Sequence, residues 1–308
     1  MSCHSNGYPP ELINLPTKGW YYDDRHPFKN GIAILNPLLG KHEDLLTNIN
    51  ICKHFISKKI LLSDLLYDSN IDIDTLFAPD VHAIFLATKI LSYGPTLKLN
   101  YTCPSCEMSS DTSVNLLSMT SSDVSYSFST NNNIFYYSIN DNEIQYKIIT
   151  FEQESSLPDE YTWSDLIKKS IISINNITDI NYINTFIDER LTIRENNEFK
   201  SIYNMTVPNI NNKIILTCNS CGFKQKMPLQ LNNFNVFGIS SKDKKNIHDE
   251  IFTLSYYSEH GFSFNDVYNM PVALRKFYLN KLVDVKNKEK EKIDEASKSS
   301  STPNKFKK

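Results

Sequence analysis

Two cysteine pairs, Cys103-Pro104-Ser105-Cys106 and Cys218-Asn219-Ser220-Cys221, have the residue types and spacing to do chemistry. Each Cys-x-x-Cys turn presents two sulfurs from one tight loop, and four thiolates suit a single tetrahedral zinc ion. More than a hundred residues separate the pairs, so a shared ion would tie two distant parts of the chain together. A catalytic zinc keeps one position open for water and usually recruits histidine or a carboxylate. No histidine stands near either pair, which favours a closed structural site, one zinc per chain, on Cys103, Cys106, Cys218 and Cys221. A redox dithiol and a pair of disulfides are the competing readings. A thioredoxin-like pair follows a strand and opens a helix, whereas Glu107 to Ser113 and Gly222 to Gln225 read as hairpin continuations. Disulfides need an oxidising compartment, and no leader-like segment opens the sequence. Cys3 and Cys52 stand alone and read as ordinary unpaired thiols.

The elements that must position these sulfurs are written around them. Leu99-Asn100-Tyr101-Thr102-Cys103 parallels Ile214-Ile215-Leu216-Thr217-Cys218, and Val114 and Leu116 match Leu229 and Leu231 at the same offset. This internal pseudo-repeat predicts two β-hairpins with a knuckle at each tip, facing one another as in a zinc ribbon. The fold class expected is α+β: short helices around this zinc-ribbon-like pair of hairpins, with a C-terminal helical hairpin.

A chain of 308 residues with 40% apolar content is globular and can bury a substantial core. Its net charge is −3, but Lys286 to Lys308 holds eight lysines against four acidic residues, a local +4 that leaves −7 elsewhere. That asymmetry marks a tail and not a basic binding domain. No apolar run approaches the roughly 18 residues that would span a bilayer, so no membrane role is expected.

Four regions are expected: an extended N-terminal arm over 1–40, an α+β body over 41–239, a C-terminal helical hairpin over 246–286 and a charged, disordered tail over 287–308. In the arm, Leu15-Pro16-Thr17-Lys18-Gly19-Trp20-Tyr21-Tyr22 mixes turn residues with aromatics, and Ile32 to Leu35 reads as a short strand. Short helices are predicted over 41–48, 50–55 and 62–67. A longer one follows, with Asp80 placed to cap it, Val81, Ile84, Phe85, Thr88 and Leu91 at helical spacing, and Gly94-Pro95 to end it. His82, on its flank, reads as a satisfied structural histidine.

Between the knuckles, 121–132 reads as a polar loop, and 133–139 and 143–149 as a hairpin turning through Asn140-Asp141-Asn142. Residues 163–174 read as helix. Ile183, Phe186, Ile187, Arg190, Leu191 and Arg194 predict a further helical face, with Asp188 and Glu189 solvated. Residues 233–238 read as an aromatic strand end. Beyond a polar linker, Ile247, Ile251 and Leu254 mark one amphipathic helix, broken at Gly261. Met270-Pro271 opens another, whose apolar side carries Leu274, Phe277, Tyr278, Leu282 and Val285. Two such helices must pack on the body or on a partner.

No phosphate-binding glycine loop, nucleophile elbow or His-Glu-x-x-His motif occurs, which argues against an enzyme. Nucleic-acid binding by a zinc ribbon is the alternative, but the body is acidic and only Lys224 and Lys226 lie beside the second knuckle.

The order of these features resembles a known family. The Leu-Pro-x-Lys-Gly arm with Trp20 and Tyr21, the helix ending at Tyr93-Gly94, the first knuckle hairpin, Phe186-Ile187-Asp188 and Cys218-Asn219-Ser220-Cys221-Gly222 are similar to baseplate hub proteins of T-even-like contractile-tailed bacteriophages. The likeness spans about residues 12 to 240. The stretch from Glu250 to Leu282, with Tyr256-Tyr257, Gly261-Phe262-Ser263 and Asp266 to Val272, resembles a second, smaller hub-assembly protein of those phages. Residues 120–180 depart from the pattern with asparagine-rich insertions. The resemblance implies a non-enzymatic hub subunit or hub assembly factor that binds other hub or tape-measure proteins. It would work in the host cytoplasm during assembly, with a place in the virion tail. Zinc rests on the chemistry of the four cysteines and not on the resemblance.

Overall fold

The N-terminal arm is folded onto the rest of the chain. Strands β1 (Glu11–Asn14) and β2 (Ile32–Leu35) form an antiparallel hairpin with Leu12 opposite Ile34. The link between them coils back so tightly that a Cβ on Gly19, at φ +74°, would sit 2.2 Å from the Lys29 carbonyl oxygen. Tyr21, Tyr22 and Phe28 are thereby buried in the main core. The computed structural model describes residues 8–48, 55–119, 133–158, 161–232, 234–259 and 261–300, with side chains described to 297. The isolated cysteines Cys3 and Cys52, the loop expected over 121–132 and all but Phe55 of the helix expected over 50–55 lie outside these residues.

Helix α1 (Gly40–Leu46) is followed by α2 (Phe55–Leu65), which absorbs the start of the helix expected over 62–67. The end of that expectation fails because Leu66 bridges Leu35 and the Tyr67 N–H donates to Ile34, so the edge of β2 captures the chain. Helix α3 (Ala78–Tyr93) buries Val81, Ile84, Phe85 and Thr88 and stops at Gly94, but Leu91 is 44% exposed. Asp80 does not cap it. Phe77 occupies the cap position with Pro79 in the first turn, and the Asp80 side chain turns to the arm.

Strands β3 (Thr96–Thr102) and β4 (Ser109–Asn115) form the first knuckle hairpin. Strands β5 (Phe135–Ile139) and β6 (Asn142–Tyr146) form the expected second hairpin, turned by Asn140 and Asp141 at φ 45° and 63°, the left-handed pair a tight turn needs. After α4 (Phe151–Ser155), the helix expected over 163–174 splits. Its first part is α5 (Trp163–Ser170), capped by Thr162, while Ile171–Ile174 leaves as β7 to complete the β5-β6-β7 sheet. A β-branched run that can bury both faces beside Ile144 prefers the strand.

The helical face expected from Ile183 to Arg194 is also interrupted. Helix α6 (Ile180–Thr185) passes into a π-helical turn over Phe186–Arg190 and ends at Leu191. Thr192 and Glu195 then start α7 (Ile193–Thr206) as a capping box, leaving Arg194 exposed. Phe199 and Tyr203 of α7 pack on Tyr146 and Trp163, which anchors this middle segment to the core. Strands β8 (Lys213–Thr217) and β9 (Lys224–Pro228) make the second knuckle hairpin. The aromatic run expected to be a strand end is a 3-10 turn, Phe234–Phe237, that sets Phe234 and Phe237 edge-on to Phe85 of α3.

Helices α8 (Lys244–Tyr257), α9 (Phe264–Tyr268) and α10 (Val272–Ser300) close the chain. Ile247, Ile251, Leu254 and Val267 form a small second core, with Leu279 and Leu282 packed against it. These helices dock on the body, where Leu39 bridges Pro271 and Arg275 reaches α1. The expected apolar side of α10 is corrected: Phe277, Tyr278 and Val285 are exposed, and Arg275 takes the innermost place. The helix also continues to Ser300, through residues expected to be disordered. The architecture is mixed α/β, built from several short antiparallel hairpins and helices. Among the described residues no helix is long and apolar enough to cross a membrane.

Candidate metal centre

The two knuckles are built alike. In the first, the Cys103 N–H donates to the Met108 carbonyl at 3.0 Å and the Glu107 N–H to the Cys103 carbonyl at 2.8 Å. In the second, Cys218 donates to Phe223 at 2.9 Å and Gly222 to Cys218 at 2.9 Å. The fifth residue of each turn is left-handed: Gly222 at φ 73°, and Glu107, paying a strain that glycine avoids, at φ 57°. This turn aims both sulfurs of a pair the same way. The local likeness seen in sequence is therefore a likeness of backbone.

The hairpins meet tip to tip. Their four sulfurs lie within 4.8 Å of one another, with Cys103 to Cys221 at 3.6 Å and Cys106 to Cys218 at 3.7 Å. A disulfide bond is about 2.05 Å long, so these are free thiols in contact and not bonded pairs. A tetrahedral ion with metal–sulfur bonds of about 2.3 Å sets its ligands about 3.8 Å apart, so the donor set fits such an ion. Asn219 adds a stitch that needs no metal: its N–H donates to Ser110 Oγ at 3.0 Å and its Nδ2 to the Asp111 carbonyl at 2.6 Å.

Cys103 and Cys218 are buried, Cys106 is half-buried and Cys221 exposed. As thiols Cys218 and Cys106 are pulled in opposite directions. The backbone N–H of Cys221, followed by that of Ser220, holds the Cys218 thiol down to about 6. At Cys106 the Met108 N–H pulls downward, but the Cys221 sulfur and desolvation outweigh it and push the thiol up to about 12. The Cys218 thiolate is favoured while that of Cys106 is opposed, a conflict that a divalent cation removes.

Sequence reasoning missed the polar anchors that join the arm and the C-terminal helices to the body. Asp80, fully buried, accepts from the Thr17 N–H at 3.1 Å, Thr17 Oγ1 at 2.7 Å and Tyr22 OH at 2.8 Å, pinning the arm to α3. Arg275, 0% exposed, forks onto Glu43 of α1 and, through Nε at 3.2 Å, onto Glu250 of α8, while Tyr93 OH donates to Glu43 at 2.8 Å. Asp44 beside it accepts from Tyr268 OH at 2.6 Å and pairs with His248 at 2.9 Å. A single buried charge inside an apolar pattern carries no periodic signal, which is why these pairs stay silent in the sequence. His82 is satisfied, as expected, by Glu154 at 2.8 Å. Asp188 is solvent-facing and meets Lys168 at 2.6 Å.

No curated protein and no solved structure gives a significant match to this chain. One family profile does, that described as T4 bacteriophage base plate protein, over residues 32–237. The matched span runs from β2 to the 3-10 turn against α3 and contains both knuckles. The chain thus belongs to the T4 bacteriophage base plate protein family.

Proposed function

We propose that the chain is a structural subunit of the central hub of a phage tail baseplate, or a factor that assembles it, working through protein contacts and without catalysis. Membership of the baseplate family over 32–237 carries this reading. We also propose that Cys103, Cys106, Cys218 and Cys221 hold one structural zinc. The support is the closed set of four sulfurs, since four thiolates leave no open position for substrate or water. The metal would make the two hairpins one rigid platform. Zinc would supply folding energy there and no reaction.

The partners proposed are other hub proteins and the tape-measure protein, met in the host cytoplasm during assembly and in the virion tail. The C-terminal helices lie beyond the matched residues and would supply a second contact surface, in keeping with their resemblance to a small hub-assembly protein. No observation favours nucleic acid as the partner. Co-expression with hub and tape-measure proteins tests the role: a complex that survives purification is expected. No complex, together with normal tails from a phage lacking the gene, would remove the reading.

A further inference from the structure

The second knuckle hairpin has one covered edge and one open edge. Strand β8 lies beside β4 of the first hairpin, while β9 pairs with β8 and with no other strand among the described residues. The Cys218 N–H donates to the Phe223 carbonyl at 2.9 Å, so Cys218 and Phe223, Leu216 and Gln225, and Ile214 and Met227 are the pairs that exchange backbone hydrogen bonds. Alternation turns the N–H and C=O groups of Lys224 and Lys226 the other way, to the open edge, where no described residue meets them.

The side chains of the hairpin sort by face at the strand period. Ile214 and Leu216 are buried, but on the same face Phe223 is 42% exposed and Met227 36%, at the side where the sheet stops. The opposite face carries Lys213, Ile215, Lys224 and Lys226, all exposed, with Ile215 across from Lys226. The lysine ion pairs of the described residues all lie elsewhere. Three unpaired cations thus share one face of a body that is net acidic. Lysine on an edge strand discourages pairing with a like strand. Two copies of β9 laid edge to edge would set lysine against lysine, so the edge rejects its own kind and favours a strand of opposite charge. Asp72-Ile73-Asp74 has acids at alternate positions, but Ile73 is a core residue and Asp74 pairs with Lys59, so a second copy of the chain does not offer that strand.

We propose that the open edge of β9 takes up one β-strand of a partner protein, with acidic residues at alternate positions opposite Lys224 and Lys226 and apolar residues between them covering Phe223 and Met227. The free backbone groups of the two lysines supply the attachment, and the alternating side chains supply the choice of strand. A nucleic-acid strand would use the lysines but neither the paired N–H and C=O groups nor the apolar side, and three cations are few for tracking phosphates. The partner's being a baseplate protein rests on the proposed function; the chemistry of its strand does not. The edge lies within the family's matched residues, so the docking site belongs to the body and not to the C-terminal helices.

The test uses the full-length protein and capped heptapeptides, followed by the NMR amide signals of Lys224 and Lys226. Ser-Val-Glu-Val-Glu-Val-Ser is expected to shift them saturably and to slow their hydrogen exchange. Its version with Gln for both Glu should bind about fivefold more weakly, the scale of two exposed cross-strand ion pairs. The Glu peptide N-methylated at both glutamates cannot donate to the edge and should not bind. Ser-Glu-Glu-Val-Val-Val-Ser, of the same composition without the alternation, should bind no better than the Gln peptide. Lys224→Gln with Lys226→Gln, two exposed changes, should erase the preference for Glu over Gln. Equal binding of the alternating and rearranged peptides, binding that survives N-methylation, or no saturable shift by any peptide overturns the proposal. So does a tighter response to an oligothymidylate, which would make the face a phosphate site. The titration reads the edge directly, so its failure is distinct from failure of the hub complex to form.

Discussion

Asp80 joins the arm to the body through one carboxylate. Burial raises it from the usual 3.8 to about 6, against the pull of the hydrogen bonds from Thr17 and Tyr22. Its folded value lies above its unfolded one, so the folded chain holds the proton more tightly. The stability this group contributes is full below pH 3.8 and declines as pH rises through about 6, by roughly 3 kcal/mol. Asp80→Asn should flatten that step: the difference between variant and wild-type denaturation midpoints should change between pH 4 and pH 7. An unchanged difference contradicts the assignment. Thr17→Val leaves the carboxylate short of a donor and should cost about 1–3 kcal/mol at neutral pH in the same assay. In sequence Asp80 reads as a cap, because a carboxylate in a first helical turn has that local use. Its partner sits 63 residues away and no local rule points to it.

Helices legible in the sequence are those whose ends are chemically marked. Gly94-Pro95 stops α3 where expected, and the alternation around Asn140-Asp141 gives the β5–β6 hairpin. Ile171 to Ile174 reads as helix only because the strand it joins, β6, is remote in sequence. Thr192 and Glu195 form a capping box that is readable in the sequence and marks the start of α7. On α10 the apolar pattern points one way and the structure another. Arg275 bonds bidentately to Glu43 and again to Glu250, and this network turns Phe277 and Tyr278 outward. Arg275→Met would strand Glu43, 1% exposed, without a counter-charge and should cost about 3–5 kcal/mol. Hydrogen exchange should then rise in α8, α9 and α10 while α3 stays protected. Adding Glu43→Met should recover most of the loss, since a pair of apolar side chains leaves no charge buried. Loss of protection throughout the chain, or no recovery in the double variant, contradicts this description.

At the scale of the whole molecule, two hairpins more than a hundred residues apart meet at four sulfurs. The knuckles and their pairing were legible because the pseudo-repeat places the same turn twice. The lock that holds one hairpin against the other without metal was not, because it depends on contacts such as Asn219 with Ser110 that no repeat encodes. With the proposed zinc in place, binding energy on the order of 10 kcal/mol is shared by folding. Cys218→Ser should therefore lower the melting temperature by about 10 °C or more, and a strong chelator should lower that of the native chain similarly. A chain that melts at the same temperature with and without chelator would show that the hairpins hold together unaided. The most direct test of the central claim is X-ray absorption at the zinc edge on the purified full-length protein, with metal content measured alongside. One zinc per chain with four sulfur neighbours at about 2.3 Å is the result predicted. A metal-free chain, or a zinc with nitrogen or oxygen in place of any of the four sulfurs, would contradict it.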